Sequence, residues 1–372
     1  MQEHIFDIAI VGGGASGIFS AIHLPKNLSK IILEKTNKIG TKVLLSGGER
    51  CNVSNMYIED EKDYVGENKK ILLSLFHHFS QYDMIHWLEK EGIKTHTEDN
   101  GRILLDSGKS EEIVKLFEKK IQENDAILKT NFSVNDIEKK DDTFIILGEN
   151  GEKICAREVI IATGGKSFAQ IGTDGWGYNF AKKFGIEIVE PYKGLCGITT
   201  KEDFSSLSGI SCLVECNIYD KEKTFFKEKG NMLFTHFGIS GPLIFHIVLK
   251  IGEYIRNKGI TYENEIPYIK ENIDVKLIFS GDNIPKKILN FPLFDKEKNE
   301  IILKINDFRS WKEAKVTGGG VKLNELSKNF ESKKVSGLYF IGEVLDITGK
   351  SGGFNLQLAW SEAHTLAKSF FE

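Results

Sequence analysis

Residues 5–17 decide the fold: the apolar run Ile-Phe-Asp-Ile-Ala-Ile-Val leads directly into Gly-Gly-Gly-Ala-Ser-Gly. The run predicts a buried β-strand, and the apolar residues 15–24 predict a helix behind the glycines. A second apolar run, residues 31–33, ends at the acidic residue Glu34. Strand, glycine turn, helix and strand in this order predict a βαβ unit of a Rossmann-like domain.

The glycines fit the pattern Gly-x-Gly-x-x-Gly with Gly12, Gly14 and Gly17 in register, and Glu34 follows Gly14 by 20 residues. In a dinucleotide site the first glycine permits a tight turn, the second admits a pyrophosphate, and the third lets the helix pack on the strand. The acid would bind the ribose hydroxyls. The alternative is a structural glycine turn with an exposed Glu34.

Composition limits the class of protein. The chain has 372 residues, 41% hydrophobic and 27% charged, with a net charge of −4. These values predict a soluble globular protein of two domains and argue against a strongly basic nucleic-acid binder. The five cysteines show no Cys-x-x-Cys pair and no zinc spacing, which predicts reduced thiols and no metal. With no signal peptide and no membrane-spanning stretch, we expect a cytoplasmic protein without a membrane partner.

The pattern of elements changes twice along the chain. Helices and strands alternate up to about residue 190, short strands interrupted by a helix at residues 242–256 follow, and a glycine turn at 318–320 opens a second Rossmann-like stretch. The predicted fold class is therefore α/β. It comprises a Rossmann-like domain, residues 1–190 and 311–372, with an inserted β-rich domain, residues 191–310, that carries a short helical segment.

One predicted strand of the inserted domain is rich in lysine. Period-two alternation would place Lys221, Lys223, Lys227 and Lys229 on one face of the strand, and Glu222 and Glu228 on the other. Such a basic face could contact phosphates, and the alternative is an ordinary solvated strand face.

Further glycine-rich segments end other strands, at residues 46–52, 162–165, 172–175 and 342–353. Bare backbone at so many strand ends is typical of a cofactor that spans a whole domain. A nicotinamide cofactor alone would need only the first segment.

The strings Ser46-Gly47-Gly48-Glu49-Arg50-Cys51-Asn52, residues 235–242 and Gly342-Glu343-Val344-Leu345-Asp346 resemble one known family. It is the YhiN-like (BaiN/RdsA-like, aminoacetone oxidase) family of FAD-binding flavoproteins in the two-dinucleotide-binding-domain superfamily. The resemblance covers essentially the full chain. It implies that the Rossmann-like domain is an FAD-binding domain and that the inserted β-rich domain is a substrate or cap domain. Because the chain holds one dinucleotide fingerprint, we expect NAD(P)H as a transient electron donor.

The resemblance and the glycine segments together imply a set of cofactor-binding residues. For one member of this set, Phe354, the alternative is ordinary packing in the core. The set is Gly12, Gly14, Ala15, Ser16, Gly17, Glu34, Lys35, Lys42, Ser46, Gly47, Arg50, Cys51, Asn52, Val134, Thr163, Gly164, Asp174, Gly342, Glu343, Gly353, Phe354 and Asn355.

Two residues are candidate catalytic groups. Cys51 follows Arg50 in a loop expected near the flavin, where a lowered thiol pKa would suit a proton donor; the alternative is a packed residue that shapes the loop. His236 lies in a glycine- and proline-rich loop of the inserted domain, and its alternative is a structural histidine.

The predicted activity is hydride transfer through flavin N5 to a conjugated C=C bond. The family implies two substrates, uridine in ribosomal RNA, which becomes dihydrouridine, or a small enone. The alternatives are a flavin amine oxidase and a non-catalytic redox-sensing flavoprotein.

Overall fold

A computed structural model describes residues 4–59, 61–280 and 284–371. Its strands are β1 (Ile5–Val11), β2 (Lys30–Leu33), β3 (Asn52–Asn55), β4 (Tyr64–Val65), β5 (Thr95–Thr97), β6 (Arg102–Leu105), β7 (Ala126–Lys129), β8 (Val134–Lys140), β9 (Thr143–Gly148), β10 (Lys153–Ile161), β11 (Ile188–Gly194), β12 (Ile198–Thr200), β13 (Ser211–Asp220), β14 (Lys223–Thr235), β15 (Gly238–Ser240), β16 (Ile273–Phe279), β17 (Glu300–Phe308), β18 (Val316–Val321), β19 (Leu338–Phe340) and β20 (Thr348–Gly349).

The α-helices are α1 (Ala15–His23), α2 (Thr41–Leu44), α3 (Ile71–His78), α4 (Gln81–Lys90), α5 (Glu111–Glu123), α6 (Trp176–Lys183), α7 (Pro242–Asn257), α8 (Tyr262–Asn272), α9 (Lys286–Leu289) and α10 (Gly352–Lys368). None of the helices in the described ranges is long and apolar enough to cross a bilayer.

The chain divides into two compact units. One unit combines the residues up to 189 with those from 319 onward, and the other consists of residues 190–318. The second boundary between the two units, between residues 318 and 319, lies inside β18, whereas the sequence predicts it at residue 311. The assignment of FAD binding to one unit and substrate binding to the other stays a prediction.

A seven-stranded sheet forms the centre of the first unit. Its order is β7-β2-β1-β10-β9-β8, and β19 also pairs with β10. The pairs β7–β2, β2–β1, β1–β10 and β10–β19 are parallel, whereas β9 pairs antiparallel with both β8 and β10. The apolar run of β1 is buried along most of its length, and α1 packs against α10. The predicted βαβ opening is present, and the fold class is confirmed.

The second unit is built on a closed barrel, in the order β12-β15-β14-β13-β16-β17. Its neighbouring strands are antiparallel, and α7 packs against β14. Because the barrel is closed, each of these described strands pairs with a neighbouring strand at both edges, and the barrel surrounds an apolar core. The helical segment is larger than predicted, because the 11-residue α8 follows the 16-residue α7.

A β-bulge in β14 corrects the predicted lysine face. Lys227 pairs with Asn217, but the register shifts so that Lys223 pairs with Asp220. Directly opposite residues share a face, and Asn217 and Asp220 lie on opposite faces of β13. Lys223 is therefore on the other side of the sheet from Lys227, because one extra residue reverses the alternation.

Candidate dinucleotide-binding site

The turn between β1 and α1 has the geometry that the glycine pattern predicts. Gly12 has φ +112°, and a Cβ there would lie 2.3 Å from the carbonyl oxygen of Ala162. A Cβ on Gly17 would lie 2.0 Å from the carbonyl oxygen of Gly12. Both glycines are therefore required by the fold itself.

Gly14 differs from these two glycines. Among the described residues, no heavy atom beyond its chain neighbours lies within 4 Å of the position that a Cβ would occupy. Gly14 is also the N-cap of α1, and no side chain caps this nine-residue helix. The helix N-terminus thus meets open space at a point where its backbone N–H groups attract an anion. An absent side chain, free space and donor groups together fit a pyrophosphate.

Glu34, at the end of β2, faces the same turn. Its Oε2 accepts a hydrogen bond from the N–H of Gly13 at 2.8 Å, and its Oε1 accepts from the N–H and the hydroxyl of Thr36, both at 2.7 Å. These contacts hold the carboxylate beside the glycine turn, where a ribose diol could reach its remaining lone pairs.

Other strand ends arrive at the same edge of the sheet. The N–H of Ala162, after β10, donates to Val11 O at 2.8 Å, and the N–H of Ile341, after β19, donates to Ile161 O at 3.1 Å. A Cβ on Gly342 would lie 2.3 Å from Ser16 Oγ in the first turn of α1. Carboxyl ends of parallel strands form the usual binding crevice of an open α/β sheet.

One buried polar atom at this edge has no protein partner. Thr163 Oγ1 is buried without a hydrogen-bond partner in the described structure. The neighbouring Gly164 has φ +71°, and a Cβ there would contact Thr173 at 3.7 Å. This hydroxyl is closed to solvent and lies against Gly177 of α6, where an added Cβ would be 2.5 Å from it, so it offers no contact to a ligand in the open space at Gly14.

Lys42, Ser167 and Glu343 form a cluster from three distant parts of the chain. Glu343 Oε1 accepts from Ser167 Oγ at 2.6 Å, Glu343 Oε2 forms an ion pair with Lys42, and Lys42 Nζ donates to Ser167 Oγ at 2.6 Å. The sequence motifs did not single out Ser167, although its position just after the Thr163-Gly164-Gly165 strand end was a usable signal.

A second long-range pair connects Lys35 with Asp174. Their side chains are 2.7 Å apart and largely exposed. Burial raises the pKa of Asp174, but the Lys35 ammonium and the N–H of Trp176 outweigh it and lower the pKa overall. The pair links the end of β2 to the start of α6.

The loop before β3 is held by Ser46. Its carbonyl oxygen accepts from the N–H of Cys51 and its hydroxyl oxygen from the N–H of Asn52, both at 3.1 Å. Gly47 has φ +62° and lies close to Asn52. Arg50 donates to Glu98 Oε1 at 2.8 Å and so turns away from the neighbouring thiol.

The structure corrects the expected chemistry of Cys51. Its side chain is fully buried, and burial raises the pKa of the thiol to about 12, despite a hydrogen bond with Ser46 that lowers it. The expectation of a lowered pKa is wrong, because burial of the thiol outweighs the hydrogen bond with Ser46. The geometry favours the alternative, a packed residue that shapes the loop.

The start of α10 approaches the same loop. In the orientation that satisfies both its amide oxygen and its amide nitrogen, the Asn52 side chain accepts a hydrogen bond from the N–H of Gly353 at 3.1 Å and donates one to Ser54 O at 2.8 Å. Asn355 clamps the preceding segment, accepting from Gly349 N at 2.9 Å and donating to Gly349 O at 2.9 Å. Phe354 is 2% exposed and packs on Tyr64 in the core, and its contact with the cofactor stays a prediction.

Two predicted site residues are not joined to these clusters by a described contact. Val134 begins β8 and is buried in the first unit. His236 is exposed in the second unit, in the turn between β14 and β15, where its ring lies edge-on to Phe237. The described residues contain no group of three or more His, Cys, Asp or Glu side chains able to hold a metal ion.

The sequence pattern described as "HI0933-like protein Rossmann domain" matches residues 6–369. The chain belongs to the HI0933-like family. It is 32% identical to the "Ribosomal RNA dihydrouridine synthase" of Escherichia coli (strain K12), over 98% of this chain and 97% of that protein. It is 26% identical to the "3-dehydro-bile acid delta(4,6)-reductase" of Clostridium scindens, over 98% of this chain and 99% of that protein.

A solved structure shares the fold of this chain. The 3-ketosteroid-delta4-(5alpha)-dehydrogenase from Rhodococcus jostii RHA1 aligns with a TM-score of 0.55 and 12% identity, over 100% of this chain and 98% of that one. The predicted family and the predicted enzyme class, an oxidoreductase, are confirmed.

Proposed function

We propose that the chain is an FAD-dependent oxidoreductase that reduces the conjugated C=C bond of uridine in ribosomal RNA, with NAD(P)H as electron donor. The open space at Gly14, over the uncapped N-terminus of α1, is the observation that carries the cofactor assignment. It fits a dinucleotide phosphate, and the Glu34 carboxylate beside it fits a ribose.

FAD, when bound, supplies hydride transfer through its N5 atom. The backbone at Gly14 and the first turn of α1 would hold the pyrophosphate, and Glu34 the adenosine ribose. The N-terminus of α10, which begins at Gly352, would stabilise negative charge on the flavin. In the overall reaction one carbon of the C=C bond gains a hydride, the other gains a proton, and NAD(P)H leaves as NAD(P)⁺.

The proton requires an acid, and the two predicted candidates differ in access. His236 is exposed and free to meet a substrate, whereas the Cys51 thiol is buried with a raised pKa. We therefore infer that His236 is the better candidate for the proton donor.

The choice of substrate rests on the relatives. The relative named as a ribosomal RNA dihydrouridine synthase is 32% identical, and the one named as a bile acid reductase is 26% identical. No continuous lysine strip supports RNA binding on the described strand β14, because Lys227 pairs with Glu215 and the bulge turns Lys223 away.

The test begins with purified protein reconstituted with FAD and reduced anaerobically by NADH or NADPH. Unmodified ribosomal RNA should reoxidise the flavin and gain two mass units per modified uridine, and a Gly14→Val variant should do neither. Reoxidation by a steroid enone but not RNA would move the assignment to a small-molecule reductase. Flavin reduction by an amine would indicate an amine oxidase, and no reoxidation by any of these acceptors would favour a redox sensor.

A further inference from the structure

Glu362 is a fully buried acid in the middle of α10. Helical spacing places it between Leu358 and Leu366, four residues away on either side, on a face that is buried. Its Oε2 accepts a hydrogen bond from the N–H of Gly342 at 2.6 Å. Its Oε1 is buried and has no hydrogen-bond partner among the described residues. An acidic residue on an otherwise apolar helix face is visible in the sequence, but Glu362 belongs to none of the motifs described above.

The surroundings of Glu362 favour the neutral acid. Among the described residues, one backbone N–H donates to it, and a buried carboxylate without a cation costs much more than a neutral hydroxyl that lacks an acceptor. Burial accordingly raises the pKa of Glu362 to about 8, and the N–H of Gly342 opposes this only in part.

Few titratable groups face this carboxyl. Tyr64, on β4, is buried against α10, and its pKa is raised by burial and also by the charges of Asp63 and Glu362. His23 on α1 and Asp83 on α4 interact with His364, two residues further along α10. Tyr64 therefore interacts with Glu362 without supplying a positive charge.

Gly342 connects Glu362 to the candidate site. This glycine has φ +82°, and a Cβ there would lie 2.3 Å from Ser16 Oγ. Ser16 is in the first turn of α1, next to the open space at Gly14. The carboxyl is thus placed directly behind the turn that faces the N-terminus of α1.

We propose that Glu362 is a positioning residue that holds the Gly342 turn as a neutral acid, and that its ionisation weakens binding of the anionic cofactor. This proposal rests on the proposed FAD site. A negative charge on Glu362 would lie in a low-dielectric interior close to the pyrophosphate and would repel it. A neutral carboxyl adds the hydrogen bond without that repulsion.

The experiment is a fluorescence titration of apoprotein with FAD at pH 7 and pH 9. The wild-type affinity should fall about tenfold between these values, since only the protein with neutral Glu362 binds well. Glu362→Gln keeps an acceptor for Gly342 without a charge and should show a flat profile. Glu331→Gln is the matched control, because Glu331 also accepts a glycine N–H, that of Gly337 at 2.8 Å, and should keep the wild-type slope.

Infrared spectroscopy of the apoprotein, wild type and Glu362→Gln, gives a second readout that does not need FAD. A protonated carboxyl band at pH 7 that disappears above pH 9, and is missing in Glu362→Gln, supports the proposal. A wild-type affinity that is flat from pH 7 to pH 9, or a Glu362→Gln slope equal to that of wild type, overturns it. Failure of the wild type to bind FAD at pH 7 would instead overturn the proposed function.

Discussion

Lys42 forms an ion pair with Glu343, which lies 301 residues later in the chain. The two side chains are 28% and 15% exposed, so water screens them only in part. The pair joins α2, near the start of the chain, to the turn after β19.

A double-mutant cycle with Lys42→Met and Glu343→Gln should give a coupling energy of about 1–3 kcal/mol in urea unfolding of the apoprotein. The Lys35–Asp174 pair is the control, and its greater exposure predicts about 0–1 kcal/mol. Equal coupling in the two pairs would contradict a special role for burial.

Gly14 and Gly17 should respond differently to added side chains. Gly14→Val should leave the unfolding free energy of the apoprotein nearly unchanged, because its side chain enters open space and its φ is −86°. The same variant should lose FAD. Gly17→Ala should destabilise the apoprotein by about 1–3 kcal/mol, because its Cβ overlaps the Gly12 carbonyl. If Gly14→Val retains FAD at wild-type affinity, the pyrophosphate lies elsewhere.

Glu34→Ala should weaken FAD binding roughly tenfold to a hundredfold, since charge-assisted hydrogen bonds contribute about 1.5–3 kcal/mol each. Titration of the apoprotein measures this affinity. Exposed Glu138 gives the control variant, Glu138→Ala, for which the affinity should stay at the wild-type value. An unchanged affinity in Glu34→Ala would remove Glu34 from the ribose site.

Cys51 should resist iodoacetamide at pH 8 in the folded protein and react in denaturant, because its thiol is buried and its pKa is about 12. Mass spectrometry of the labelled peptide measures the reaction. Rapid labelling of native Cys51 would contradict the burial.

The flavin half-reactions separate the two predicted acids. Cys51→Ala should leave reoxidation by substrate close to the wild-type rate, whereas His236→Asn should slow it about 10²–10⁴-fold. Reduction by NAD(P)H should be unaffected in both variants. The reverse pattern would restore Cys51 as the proton donor.

His364 should make the protein less stable in mild acid. Burial first, and then the charges of His23 and Lys368, lower the pKa of His364 to about 4. In the unfolded chain the histidine pKa is about 6.5. Between about pH 6.5 and pH 4, this residue is therefore protonated in the unfolded chain and neutral in the folded chain. The unfolding free energy should therefore fall as the pH drops from about 6.5 to about 4.

The test variant is His364→Phe, whose ring suits the neighbouring Phe79, since the ring centroids of Phe79 and His364 are 4.8 Å apart. The matched control is His77→Gln, at an exposed position. Between pH 7 and pH 5, His364→Phe should lose about 1–2 kcal/mol less stability than wild type. His77→Gln should keep the wild-type pH dependence. Identical pH profiles for wild type and His364→Phe would contradict the assignment.

The elements around the first glycines could be predicted from the local sequence. An apolar run, a glycine pattern and an acid 20 residues beyond Gly14 are short-range features, so they specify a strand, a turn, a helix and a second strand without distant partners. The close approach of Gly17 to Gly12 lies within this segment, whereas the close approach at Gly12 is to Ala162, at the end of β10.

Tertiary structure alone decided how the distant segments combine. Lys42 pairs with Glu343, and Glu362 contacts Gly342, although the separation of these residues in sequence carries no information about their distance in space. The burial of Cys51 is likewise a result of tertiary packing. The bulge in β14 likewise depends on pairing with β13. A side chain's charge state follows from its surroundings, and those surroundings are assembled by packing of α10 and the parallel strands, which no local pattern records.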